Sequence, residues 1–274
     1  MLPPESECQT PLAPASELDS PVFCVVLHDV AGVFRSEIRE VVRQLKVLVG
    51  QHFTCAVVPQ WHGQDDPQAL SNVISTCEEC AEWMIHGMTH LRETRGGLVS
   101  WLTKQADEFG GLQLSQIQER VSMCQRLIQA ATGKKPVGLV APCWSLPVSP
   151  QNLKQIDYVM GYRSLIRCDA DVHLRPSISM RQQEARATGC HHEIPLATWS
   201  YDWGRFGSVA SFVNLYSELR FRFHRHVVPC VVIHPADVNR NWLPVAIKKI
   251  QKLLEQGYQP VTPRMLLAES GRVL

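Results

Sequence analysis

Short apolar runs alternate with amphipathic stretches along most of the chain. Residues 22–27 are apolar and β-branched, and end on the polar pair His28-Asp29. Such a run predicts a buried strand. Ile38, Val41, Val42, Leu45 and Leu48 then recur at helical spacing over residues 36–48, with Gly50 as a stop. Residues 53–58 predict a second strand closed by Pro59, and Glu82–Ile85 a third that runs into His86-Gly87. Ser115 reads as the N-cap of a helix reaching about Thr132, with Gly133 as its C-terminal signal. A fourth strand is predicted over 137–141, broken by Pro142, and a helix near 150–156 leads to an apolar stretch at 158–166. Residues 168–190 are polar and predict a long loop. A helix over 208–224, a very apolar strand over 227–233, a helix over Leu243–Glu255 and a short strand over 259–262 complete the pattern.

Strand–helix alternation at this spacing predicts an α/β fold with a parallel sheet, open or closed into a barrel. No internal repeat or Pro/Gly-rich linker divides the chain, so a single domain is expected over residues 21–274. Residues 1–20, rich in Pro, Ser and Glu, read as a flexible lead-in without the basic and apolar regions of a signal peptide.

Composition narrows the classes. A hydrophobic content of 45% and a charged content of 19% are those of a soluble globular protein. The net charge of +1 gives no electrostatic reason to expect nucleic acid or an anionic membrane as partner. No stretch approaches the roughly 18 apolar residues of a membrane span. The ten cysteines are scattered, several in apolar runs, and read as reduced thiols of a cytoplasmic protein.

The chemically capable side chains cluster by topology. Asp29, His62, His86, His90, Trp144 and His234 all fall at or just beyond the C-terminal end of a predicted strand, where parallel α/β folds build their sites. Imidazoles four apart, as in His86-Gly87-Met88-Thr89-His90, can converge on one ion. Two imidazoles and one carboxylate with an open position form a catalytic zinc set, and Asp29 is the best-placed carboxylate. Each feature alone has a plainer reading: a lone H-x-x-x-H is commonly coincidental, and Asp29 can cap a turn. Cys77-Glu78-Glu79-Cys80 has no second pair, and Cys190-His191-His192-Glu193 places neighbours on opposite strand faces, so neither reads as a metal site.

The ordered motifs His28-Asp29-Val30, His86-Gly87-Met88-Thr89-His90, Ala141-Pro142-Cys143-Trp144 and Ile233-His234-Pro235-Ala236-Asp237 resemble the polysaccharide deacetylase (NodB-homology) superfamily. They look closest to a little-characterised subgroup with HDV, HGxxH, APxW and HPxD motifs, and Val57-Val58-Pro59 with Trp61-His62-Gly63 fits its second strand. The resemblance spans residues 22–262. It implies an irregular (β/α) barrel of about seven parallel strands and metal-assisted removal of an acyl group, N-acetyl above all, from a sugar or glycoconjugate. It implies metal ligation by Asp29, His86 and His90, with zinc or another divalent ion, and His234 as general acid. Pro142 and Trp144 would line the groove. The Tyr201-Asp202-Trp203 segment offers Asp202 and Trp203 as substrate contacts, or a structural turn, and His62 would line the pocket or act behind the metal. Two positions depart from the family: His28 stands where the family has its catalytic Asp, and Val140 where it has the Arg that orients that base. The paired loss implies either a rewired base, with His28 in that role, or a deacetylase fold that binds metal or carbohydrate without deacetylation.

Overall fold

The first strand, β1 (Val22–Val30), is buried along all nine residues and continues through His28 and Asp29, past the predicted end. It is the centre of the computed structural model, which describes residues 20–94, 96, 100–101, 103, 105–168, 193–202, 207–224 and 226–270. Around β1 lie β2 (Thr54–Val57), β3 (Glu82–Ile85), β4 (Gly138–Val140), β5 (Tyr158–Met160), β6 (Ser164–Arg167), β7 (Glu193–Ser200) and β8 (Val228–Ile233). Pairing runs in the order β2-β3-β4-β5-β6-β7-β8-β1, and β1 pairs again with β2. The sheet is therefore a closed ring. Seven of its strands are parallel, and β6 is antiparallel to both neighbours. A ninth strand, β9 (Gln259–Val261), pairs with the first residues of β1.

The ring is an irregular (β/α) barrel in one domain, as expected. The apolar stretch at 158–166 divides into β5 and β6 because the chain turns at Gly161, whose N–H donates to Ser164 O at 2.8 Å. Strand β7 had no counterpart among the predicted elements.

The helices are α1 (Arg35–Val49), α2 (Pro67–Thr76), α3 (Leu114–Thr132), α4 (Gly207–Phe223), a single turn α5 (Ala236–Asn239), α6 (Leu243–Glu255) and α7 (Pro263–Ser270). Helix α1 buries Ile38, Val41, Val42 and Leu45, four of the five residues that predicted it, and leaves Leu48 half-buried. Helix α2 went unpredicted, although Asp66 caps it by accepting from Ala69 N–H at 2.9 Å and Pro67 fills its first position. Two expectations are corrected. The N-cap of α3 is Gln113, because a reciprocal box with Gln116 satisfies the first amides there and leaves Ser115 inside the first turn. The region predicted as a helix near 150–156 holds only a 3-10 turn, Pro150–Asn152.

Two apolar clusters follow the strand period of two. Cys24, Val26, Ala56, Met84, Val140, Tyr158, Met160, Leu196, Cys230 and Val232 fill the barrel interior. Phe23, Val25, Leu27, Cys55, Val57, Ile85, Leu139, Val231 and Ile233 face outward against the helices. Two residues beyond an inward side chain lies another inward one. Val26, Met84 and Val232 are thus followed by His28, His86 and His234, which top the interior with imidazoles.

Candidate metal centre

Beyond these strand ends the backbone turns sharply. Seven described residues other than glycine have left-handed φ, and five of them are Asp29, His62, His90, Cys143 and Trp144. Such conformations cost on the order of 1 kcal/mol or more apiece and collect where a fold must aim side chains.

Asp29 is the point of convergence. Its Oδ1 lies 3.2 Å from His86 Nε2 and 3.2 Å from His90 Nε2. One ligand atom from each residue falls within 4.8 Å of the others, and all three side chains are buried. The His86 ring is locked from behind, its Nδ1 meeting Val140 O at 2.9 Å. A carbonyl there can only accept, so Nδ1 carries the hydrogen, and the ring is oriented with Nε2 facing Asp29. Burial, together with the neighbouring His86, pushes His90 down to about 4 despite the opposing pull of Asp29. Burial pushes the Asp29 carboxyl up, but the imidazoles led by His90 outweigh it and hold it below the usual carboxylate range. Asp29 Oδ1 is buried without a hydrogen-bond donor. Two imidazole nitrogens and a buried carboxylate oxygen converging on one point are a donor set that fits a divalent cation.

The loop that carries both imidazoles is shaped from outside. Gly87 has a φ of 80°, and a Cβ there would lie 2.4 Å from Glu108 Oε2 and 2.7 Å from Pro142 Cγ. Glu108 accepts from three successive backbone amides: Met88 at 3.0 Å, Thr89 at 2.9 Å and His90 at 2.7 Å. Arg120 Nη1 donates to the same carboxylate at 3.1 Å. Sequence reasoning missed Glu108 because three of its four partners are backbone amides, which leave no side-chain pattern.

The second-strand motif packs on this loop. Gln60 N–H donates to Met88 O at 2.9 Å and His62 N–H to Thr89 O at 2.7 Å. The Trp61 ring stacks on His90 at 5.0 Å and on His62 at 4.8 Å. His62 is exposed, one ring removed from the metal-ligand candidates.

His28 is buried between His86, Trp144 and His234, with ring centroids 4.4, 5.0 and 5.1 Å away. Burial first, then the imidazoles of His86 and His234, lower its pKa well below the ordinary value. A neutral ring keeps one nitrogen free to accept a proton. His234 behaves oppositely. Burial alone would lower its pKa, but the carboxylates of Asp237 and Asp29 outweigh that and raise it to about 9. Asp237 Oδ2 accepts the His234 backbone N–H at 2.8 Å and lies 3.8 Å from ring Nδ1. One neutral and one charged imidazole thus sit side by side, an acid–base pairing set by environment.

Pro142 is buried under the loop at Gly87, and Trp144 meets Tyr162 edge-on at 5.5 Å. Asp202 is ion-paired with Arg240. Trp203, and the motif at 190–192, lie outside the described residues. Cys77 and Cys80 are buried free thiols in the outer core.

No protein-family model matches the chain, and no curated protein matches it in sequence. Solved structures do share its fold. Peptidoglycan deacetylase PdaC from Bacillus subtilis is 16% identical, with 94% of this chain and 95% of that one covered and a TM-score of 0.54. The Xyl-CE4 domain of a multidomain xylanase from the hindgut metagenome of Trinervitermes trinervoides is 12% identical over 92% of each chain, with a TM-score of 0.53. BA3943, a CE4 family pseudoenzyme from Bacillus anthracis, is 15% identical over 94% of this chain and 70% of that one, with a TM-score of 0.50. The chain has the polysaccharide-deacetylase fold.

Proposed function

We propose that this chain, on its polysaccharide-deacetylase fold, is a metal-dependent hydrolase that removes an acyl group, N-acetyl in the first place, from a sugar or glycoconjugate. The observation that carries the reading is the convergence of Asp29, His86 and His90 beside two imidazoles, His28 and His234, whose pKa values are driven in opposite directions. Asp29 Oδ1 and the Nε2 atoms of His86 and His90 would hold the ion, zinc by ligand type, though cobalt and nickel suit the same donors. When bound, the ion polarises the acyl carbonyl and lowers the pKa of a bound water toward about 7.

The chain's own groups divide the proton work. His28 receives the proton of the attacking water on its free ring nitrogen. His234 delivers its proton to the leaving amine nitrogen as the C–N bond breaks, so that acetate and a free amine leave. Asp237 keeps His234 charged for that step. Trp144 and Pro142 wall the cleft, and Asp202, Trp203 and His62 are proposed as outer contacts of the sugar. The buried free thiols favour a reducing, cytoplasmic setting. No described helix is long and apolar enough to cross a membrane.

Acetate release from N-acetylated oligosaccharides by the zinc-loaded protein tests this directly. Activity should fall by about 10² or more in His234→Ala. Stoichiometric metal without release from any acylated sugar would refute the catalytic reading. A second reading has its own support. His28 replaces an acid and apolar Val140 an arginine, and BA3943, of the same fold, is described as a pseudoenzyme. On that reading the chain binds metal or carbohydrate without turnover, and His234→Ala leaves ligand affinity nearly intact.

A further inference from the structure

The His86–His90 loop has no regular secondary structure to hold it, yet both of its imidazoles reach the same carboxylate oxygen. We infer that Glu108 positions the two histidines by binding the backbone of the segment between them. This rests on the metal reading of Asp29, His86 and His90.

Three successive amides turned toward one point make a concavity that binds an anion. Here the anion is the chain's own Glu108 side chain, which is wholly buried and reaches the amides of Met88, Thr89 and His90 from 18 to 20 residues away. The shortest of these bonds, 2.7 Å, is to the N–H of a proposed ligand itself. Gly87 leaves the room the carboxylate needs, since a Cβ there would overlap Oε2. Arg120 balances the buried charge from behind, with Nη1 on Glu108 and Nη2 on Glu93 at 2.6 Å. His86 is clamped by Val140 O, and Gln60 and His62 hold the carbonyls of Met88 and Thr89, so Glu108 secures the amide side of the arc from Gly87 to His90. The bonds of Glu108 go to these three amides and to Arg120, and not to Asp29 or an imidazole nitrogen. It is a positioning residue.

Its neighbour supplies a control. Asp107 is also buried, but its carboxylate pairs with Arg92 at 2.7 Å rather than with the amides of the ligand loop.

Zinc affinity, read by competition with a chromophoric chelator, and the absorption spectrum of the cobalt-loaded protein test the inference. Glu108→Gln keeps the size but turns an N–H₂ toward amides that need an acceptor. Zinc binding should weaken about 10–100-fold and the cobalt bands shift, while Asp107→Asn stays within about twofold. Hydrogen exchange on the unaltered, metal-free chain decides the matter even if Glu108→Gln fails to fold: the amides of Met88, Thr89 and His90 should be strongly protected. Unprotected amides, undiminished zinc binding in Glu108→Gln, or an equal loss in Asp107→Asn would each overturn the inference. Failure of the unaltered chain to bind zinc or cobalt overturns the metal reading itself, a separately visible result.

Discussion

His28 and His234 are chemically the same side chain, 5.1 Å apart between ring centroids, yet their surroundings drive them in opposite directions. In the metal-free chain His234 moves from an ordinary 6.5 to about 9, so the folded state holds a proton that the unfolded state has released. That contribution to stability is fully present below about 6.5 and is lost as the pH rises through about 9. His90, lowered from 6.5 to about 4, acts in reverse: its contribution is present above 6.5 and lost as the pH falls toward 4. Urea unfolding of the metal-free chain should therefore show these two losses on either side of about pH 6.5. In Asp237→Asn, imidazole NMR should show the His234 pKa displaced downward. An unchanged His234 titration in that variant would remove Asp237 as its cause. Asp29, His86 and His90 were legible in the sequence because each lies at a strand end within a short motif. Glu108 was not, since a carboxylate that binds amides needs no partner side chain.

At the scale of elements, glycines mark where the chain has no alternative. Gly133 ends α3 in a left-handed conformation with φ 71°, and nothing lies within 4 Å of where its Cβ would be. Gly133→Ala should then cost only the conformational penalty, about 1 kcal/mol in denaturant unfolding. Gly87→Ala adds overlap with Glu108 and Pro142 to the same penalty, and should cost about 2–4 kcal/mol. Equal losses at the two positions would mean that the loop gives way freely. Helix α1 was readable because its buried residues carry the full period, whereas α2 is short and was signalled only by Asp66-Pro67 and by Leu70, Val73 and Ile74. The split into β5 and β6 turns on Gly161, where a strand-like run folds back into an antiparallel pair. Apolar content cannot report that reversal, because both halves remain buried at their inner ends.

For the molecule as a whole, the parallel order was visible in the alternation of strands and helices, whereas closure into a barrel was implied only by the motif resemblance. Closure depends on β1 pairing with β8 on one edge and β2 on the other, contacts between residues far apart in the chain. The ring places strand ends side by side, and so brings together His28 of β1 with His86 and His234, the residues that follow β3 and β8. A cation held across those strand ends ties separate parts of the barrel together. Zinc at about a hundred times its dissociation constant should add about 2.7 kcal/mol to stability, read as a rise in thermal midpoint that Asp29→Asn abolishes. The most direct test is a crystal of the zinc-loaded protein, with an anomalous difference map collected at the zinc edge. The account predicts one peak about 2.0–2.2 Å from Asp29 Oδ1, His86 Nε2 and His90 Nε2 together. A zinc peak on other residues, or none at this site in stoichiometrically loaded crystals, would contradict it.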